Sequence, residues 1–147
     1  MPTTDDNRVF VDTNVLLAAT DHDRKEHPNS LAFLEGGQRG IYRLFVTGQI
    51  FREYLVVSTR PIEGNGLGLS PENAVANICC FRKVLQVLQE DDETVTRLIT
   101  LVKNHELKGK RIHDANLIAS MARHGLRRLK TYNPSDFLKF PEVDLID

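Results

Sequence analysis

Short unbroken apolar runs alternate with longer amphipathic stretches along this chain, and several of the apolar runs end on an acidic or amide residue. Residues 8–12 (RVFVD) read as a buried strand, because Val9, Phe10 and Val11 are continuous and β-prone, as in a parallel strand covered on both faces. Asp12 then falls at the strand's carboxyl end. Thr13 and Asn14 offer capping oxygens for a helix beginning at 15–19. A second helix is expected over 27–34, stopped by Gly36, Gly37 and Gly40. The run LFVT at 44–47 is a second buried strand, and Gly48 leads from it into a helix, QIFREYLVVS. On that helix Ile50, Tyr54 and Val57 form an apolar stripe with Glu53 at its edge.

Residues 60–70 (RPIEGNGLGLS) form a loop long enough to be functional, although it can equally be an idle connector. Ser70 caps a helix with Pro71 at its first position, expected to run through about residue 88. A further helix covers about 93–106, with Val95, Leu98, Ile99 and Val102 on its apolar face. After the basic connector Lys108 to Arg111, another spans 112–124 and is stopped by Gly125. A strand over 126–131, a turn with a short helix at NPSDFLKF, and a last strand over 143–146 complete the pattern. This alternation predicts an α/β fold in three layers: a short-stranded, mostly parallel sheet flanked by helices, with an excess of helix. With 147 residues, one domain over 1–147 is expected.

Composition adds constraints. The 41% hydrophobic and 27% charged fractions are ordinary for a globular protein, and no apolar run approaches the roughly 20 residues that cross a bilayer. The start, MPTTDDNR, is polar and acidic where an export signal would be basic and then apolar, so a cytoplasmic location is expected. Cys79 and Cys80 are adjacent within a helical pattern and read as reduced core thiols, since vicinal cysteines make strained disulfides. The net charge of −1 hides an asymmetry: from Lys103 to Lys130 there are eight basic residues and two acids. A basic stretch around an acidic site suits an enzyme that must hold a polyanion. The same charges can also be no more than solvated helix faces.

Candidate chemistry rests on four separated segments: VFVDTNVLL around Asp12, QIFREYLVV around Glu53, RIHDANLIA around Asp114, and TYNPSDF with Asn133 and Asp136. Taken alone, Asp114 is an ordinary first-turn acid that stabilises its helix dipole. Together, the α/β topology brings the acids to one rim: the end of the first strand, the helix after the second, and the start of a later helix. Like charges so placed do not all stay ionised without a cation. Hard oxygen donors with no cysteine or histidine cluster point to Mg²⁺ or Mn²⁺ rather than zinc, and the five histidines match no zinc spacing. The chain therefore reads as a metal-dependent enzyme that cleaves phosphodiesters.

These motifs resemble the PIN-domain family, and most closely its VapC-like ribonuclease toxins. The resemblance covers essentially the whole chain and rests on FVDTNVLL, the Gln-Ile-x-x-Glu-Tyr pattern, HDANLIA and TYNPSDF, in that order. It implies a Mg²⁺- or Mn²⁺-dependent endoribonuclease acting on single-stranded RNA, usually a homodimer, held inactive by a cognate antitoxin. One position departs from the family: many relatives carry an acid where this chain has Asn133, and Asp136 follows three residues later.

The resemblance implies in-line hydrolysis, with Asp12 and Asp114 holding the metal, Glu53 beside them, and Asn133 and Asp136 completing the site. Thr13, Asn14 and Thr47 are expected to orient the carboxylates or a scissile phosphate. Lys108, Lys110 and Arg111 are expected to attract RNA backbone. Rival readings are a phosphatase of the haloacid dehalogenase type, which would want a second Asp where Asn14 stands, a catalytically silent PIN-like binding module, and a dimerisation module whose apolar helices over 71–106 receive an antitoxin.

Overall fold

The structure is a computed structural model that describes residues 6–147. The first five residues of the polar N-terminal stretch, on which the expected location rested, lie outside the described residues. Five strands, β1 (Arg8–Val11), β2 (Arg43–Thr47), β3 (Leu85–Leu88), β4 (Arg128–Lys130) and β5 (Asp144–Ile146), form one sheet in the order β3-β2-β1-β4-β5. Every neighbouring pair is parallel. Parallel neighbours need crossovers, and helices provide them: α1 (Thr13–Thr20), α2 (His27–Gln38), α3 (Gly48–Thr59), α4 (Pro71–Phe81), α5 (Asp92–His105) and α6 (Arg111–Arg123).

β1 takes the central position because it is apolar on both faces. Val9, Phe10 and Val11 are fully buried, and Phe10 lies between Phe45 of β2 and Leu129 of β4. Tyr54 is also fully buried, and its hydroxyl is satisfied by Thr20 Oγ1 at 2.8 Å and Asn77 Nδ2 at 3.0 Å. That one phenol thereby joins α1, α3 and α4. Just past the carboxyl end of β3, Asp91 closes a capping box with Thr94 at the start of α5 and pairs with Arg123 of α6 at 2.7 Å. The Arg123 guanidinium holds the Asp91 carboxyl well below the usual carboxylate range.

Three sequence expectations are corrected. The helix expected through residue 88 ends at Phe81, and after the turn at Arg82 and Lys83 the chain enters β3, paired with β2 from Leu44↔Leu85 to Thr47↔Leu88. The VLQVL run fits both periods, and the open edge of β2 decides between them. Gly36 and Gly37 do not stop α2, which continues to Gln38. They are packing positions: a Cβ on Gly36 would press on the Tyr42 ring, and one on Gly37 would overlap the Leu44 side chain. The helix is ended instead by Gly40, at φ +82°. Cys79 and Cys80 are exposed, not buried, because α4 turns little beyond Ala74 fully into the core.

The close approach of α2 to β2 is testable. Gly37→Ala should destabilise the fold by about 1–2 kcal/mol, the overpacking cost outweighing the gain in helix propensity. Gly48→Ala, with no atom within 4 Å of its added Cβ, should be neutral or stabilising by up to about 1 kcal/mol. Urea unfolding checks both, and equal midpoints for Gly37→Ala and the unsubstituted chain would refute the packing role.

Candidate active site

At the carboxyl end of β1 the Asp12 N–H makes a last bond to the Lys130 carbonyl at 3.0 Å and Asp12 caps α1, its Oδ1 accepting the Thr13 N–H at 2.7 Å. The capping oxygen is thus supplied by Asp12 itself, one residue earlier than Thr13 and Asn14 were expected to supply it. Its other oxygen accepts from Thr131 Oγ1 at 2.7 Å, just past β4. Thr131 is fixed in turn by Asn14 Nδ2 at 3.2 Å and the Asn133 N–H at 3.0 Å, both donating to the same hydroxyl oxygen. Asn14 Oδ1 accepts the Tyr132 N–H at 3.1 Å, which ties the first turn of α1 to the end of β4.

Glu53 lies on the second turn of α3 and is held from two sides. Thr13 Oγ1 donates to its Oε2 and Gln49 Nε2 to its Oε1, each at 2.8 Å. Gln49 is itself buried, and its amide also reaches the His113 carbonyl at 3.2 Å and accepts from Asn116 Nδ2 at 2.6 Å. One glutamine side chain therefore sets α3 against the start of α6, where Asp114 sits in the first turn.

These groups open onto a cleft of about 650 Å³ lined by Asp12, Glu53, Asp114, Asn133 and Asp136, with Thr13, Asn14, Gln49, Arg52, Arg60, Lys110 and His113, and with Leu17, Val56 and Val57 as its apolar part. Burial raises the Asp12 carboxyl above the usual range, and the Glu53 and Asp136 charges add to the effect. Asp114 is pushed up to about 6, first by burial and then by the charges of Asp136 and Asp12, against a smaller opposing pull from Arg111. The four acids thus repel one another across the cleft. Among the described residues, no three Asp, Glu, His or Cys side chains are already drawn together tightly enough to cage an ion.

The expected site residues are distributed as follows. Asp12, Glu53, Asp114, Asn133, Asp136, Thr13, Asn14 and Lys110 share the cleft. Lys108 and Arg111 are exposed beside it, outside its lining. Thr47 is buried at the end of β2, lines no part of the cleft and caps α3 without a side-chain hydrogen bond. Sequence reasoning passed over Thr131, Gln49, Asn116, Arg52, Arg60 and His113. Gln49 stands four residues before Glu53, the spacing of a helical Gln–Glu pair, and that signal could have found it.

Beyond geometry, the PIN-domain family model matches residues 9–143. Ribonuclease VapC24 of Mycobacterium tuberculosis (strain ATCC 25618 / H37Rv) is 30% identical over 138 residues, which span 88% of this chain and 89% of that protein. In fold, the chain is similar to VapBC2 from Rickettsia felis bound to a DNA fragment from their promoter, with a TM-score of 0.67 and 15% identity over 95% of this chain and 97% of that one. It is likewise similar to Mycobacterium tuberculosis VapC20, a sarcin-ricin loop cleaving toxin, with a TM-score of 0.63 and 15% identity over 82% and 86%. The parallel sheet with acids gathered at its carboxyl rim defines an α/β protein with an acidic cleft at the end of its central strand. The chain belongs to the PIN-domain family.

The crowding of charge predicts a pH-dependent stability. A carboxyl raised from 3.8 to about 6 on folding favours the folded state below pH ~4, and that advantage is lost as pH rises through about 6. In EDTA, Asp114→Asn should therefore leave stability unchanged relative to the unsubstituted chain at pH 4 and raise it at pH 7–8. The full gap corresponds to at most about 3 kcal/mol, and solvent screening at this half-buried position reduces the expected gain to about 1–2 kcal/mol. Thermal unfolding at the two pH values reads this out, and a loss of stability at pH 8 would contradict it.

Proposed function

We propose that this chain is a metal-dependent endoribonuclease that hydrolyses phosphodiester bonds of single-stranded RNA, and that it is the toxin of a toxin–antitoxin pair. The observation that carries this reading is the gathering of Asp12, Glu53, Asp114 and Asp136 on one cleft at the carboxyl rim of the sheet. The 30% identity to a VapC ribonuclease supports the choice of RNA as substrate. The donor set fits a hard divalent cation: every acid is an oxygen ligand, and a positive ion would relieve the mutual repulsion that raises Asp12 and Asp114. Asp12 and Asp114 would hold it, with Glu53 and Asp136 alongside.

Mg²⁺ or Mn²⁺ bound there supplies charge neutralisation for the scissile phosphate and a lower pKa for an attacking water. The residues of the chain do the rest. Thr131 and the Thr13 N–H fix both oxygens of Asp12, which holds the carboxylate on the cleft in one orientation. Gln49 and the Thr13 hydroxyl do the same for Glu53. Lys110, on the rim beside Asp114, offsets the acidic surface and draws in the RNA backbone, aided by Lys108 and Arg111. Val75 of α4 and Val95 and Ile99 of α5 are about half or more exposed and leave apolar surface for a protein partner, the antitoxin or a second copy of the chain. Among the described residues no helix is long and apolar enough to cross a membrane.

The decisive assay presents purified, partner-free protein with structured and unstructured RNAs in Mg²⁺, Mn²⁺ or EDTA. Cleavage should require the metal and disappear in Asp12→Asn. Thr131→Val and Gln49→Ala, which remove supports of the carboxylates, should each lower activity about 10–100-fold. Absence of both cleavage and metal binding in the unsubstituted protein would turn the reading toward a silent binding module.

A further inference from the structure

The wall of the cleft built by α3 changes character along its length. Gln49, Arg52 and Glu53 lie in its first half, Val56 and Val57 follow, and Arg60 stands at its end. Among the described residues neither Arg52 nor Arg60 enters an ion pair, and both are exposed. Two guanidinium groups without an acidic partner thus share a cleft with four carboxylates.

The segment after Arg60 is built to hold that residue. Its backbone leaves α3 in an extended conformation, with φ −64° and ψ 145°, and the chain then folds straight back. Gly68 N–H donates to the Arg60 carbonyl at 2.9 Å, and Gly64 and Gly66 N–H both donate to the Pro61 carbonyl at 2.9 Å. Leu67 and Leu69 N–H reach back to the carbonyls of Val57 at 3.2 Å and Ser58 at 2.9 Å, in the last turn of α3. The turn is closed by Asn65 at φ 64° and Gly68 at φ +67°. Gly66 approaches so closely that a Cβ there would overlap the Arg60 carbonyl oxygen. The loop over 60–69 is a bracket fixed by backbone hydrogen bonds, and its anchored residue is the arginine on the cleft.

We infer that Arg60, braced by this loop, binds a backbone phosphate of the RNA next to the scissile one, which makes the loop part of the substrate site. The inference rests on the nuclease reading above. A planar guanidinium with no internal partner matches phosphate oxygens with two parallel donors, and a lysine there would supply charge without that fork. The carboxylate side of the cleft suits the scissile phosphate with its cation, and the arginine side suits a neighbouring phosphate that has none. Arg52 shares the wall but has no comparable bracket, so the larger effect is assigned to Arg60.

The test measures binding of a fluorescently labelled, random-sequence, single-stranded RNA 20-mer by anisotropy across a salt series in Mg²⁺. The protein is the Asp12→Asn chain, alone and combined with Arg60→Ala, Arg60→Lys or Gly66→Ala. Loss of one phosphate contact on a single strand should reduce the slope of log affinity against log salt by about 0.7. Arg60→Ala is expected to show that reduction with weaker binding, and Arg60→Lys to keep the slope while losing part of the affinity. Gly66→Ala, which keeps the arginine but displaces its backbone, should weaken binding as Arg60→Ala does, with a thermal midpoint measured beside it to show that the chain remains folded. A slope and affinity for Arg60→Ala equal to those of the parent would overturn the inference, as would a folded Gly66→Ala chain that binds like the parent. The nuclease reading fails separately, if the unsubstituted protein cleaves no RNA in metal; Arg60 alone is refuted if cleavage is present and its replacement changes nothing.

Discussion

The organising constraint is the placement of Asp12, a carboxylate at the end of a fully buried strand. Its location follows from β1: three consecutive apolar residues take the centre of the sheet, and the next residue has to emerge where the strand ends. Burial works against its charge, and the neighbouring acids add to the strain. The fold answers with hydrogen bonds from neutral groups: the Thr13 amide and the Thr131 hydroxyl satisfy Asp12 without cancelling its charge. That choice keeps the negative potential in the cleft. An arginine in the place of Thr131 would have relieved the acid and weakened the negative potential of the cleft.

The same economy runs through α3. Its buried side carries Ile50, Phe51 and Tyr54 into the core, and the Tyr54 hydroxyl ties the helix to α1 and α4. The adjacent side carries Gln49, Arg52 and Glu53 to the cleft, and Arg60 follows at the helix C-cap. Helical geometry sets Arg52 against Glu53, while Arg60, at the C-cap, is placed by the backbone hydrogen bonds of the loop that follows it. Gln49 extends that rigidity to α6 through the His113 carbonyl and Asn116. Acids far apart in the chain are thereby held in one frame before any ligand arrives, a condition for using binding energy on chemistry rather than on ordering.

Sequence reading went furthest where a residue's environment is written in its neighbours. Asp12 after an apolar triplet, Glu53 beside an amphipathic stripe and Asp114 in a first turn all point to their places, and all three meet in the cleft. The parallel sheet was legible for the same reason, through β1, β2 and the two C-terminal strands. What escaped depends on partners distant in sequence. β3 is a strand because β2 has an open edge, and nothing local to Leu85 or Val87 says so. Thr131 matters because Asp12 lies across a strand pair 119 residues away, and a lone threonine after a short strand carries no such mark. Gly36 and Gly37 read as helix breakers until Tyr42 and Leu44 are seen to need their missing side chains. Cys79 and Cys80 sat in a helical apolar pattern, but α4 lies at the periphery and leaves that face to solvent.

The amide at Asn133 is best understood in this setting. Asn133 lines the cleft, yet the group it contributes to the hydrogen-bond network is its backbone N–H, which holds Thr131 and so Asp12. That duty is independent of its side chain, so an amide and an acid serve it equally. A fourth negative charge in the cleft is that of Asp136, in the short 3₁₀ turn Pro134–Phe137, which acts on Asp114 more strongly than that of Asp12 or Glu53 and also reaches Asp12. Phe137 is buried and anchors the turn, which places the acid three residues beyond the amide without a change in the preceding strand. The cleft thus holds four carboxylates, Asp12, Glu53, Asp114 and Asp136, while Asn133 beside them is neutral and serves the scaffold through its backbone.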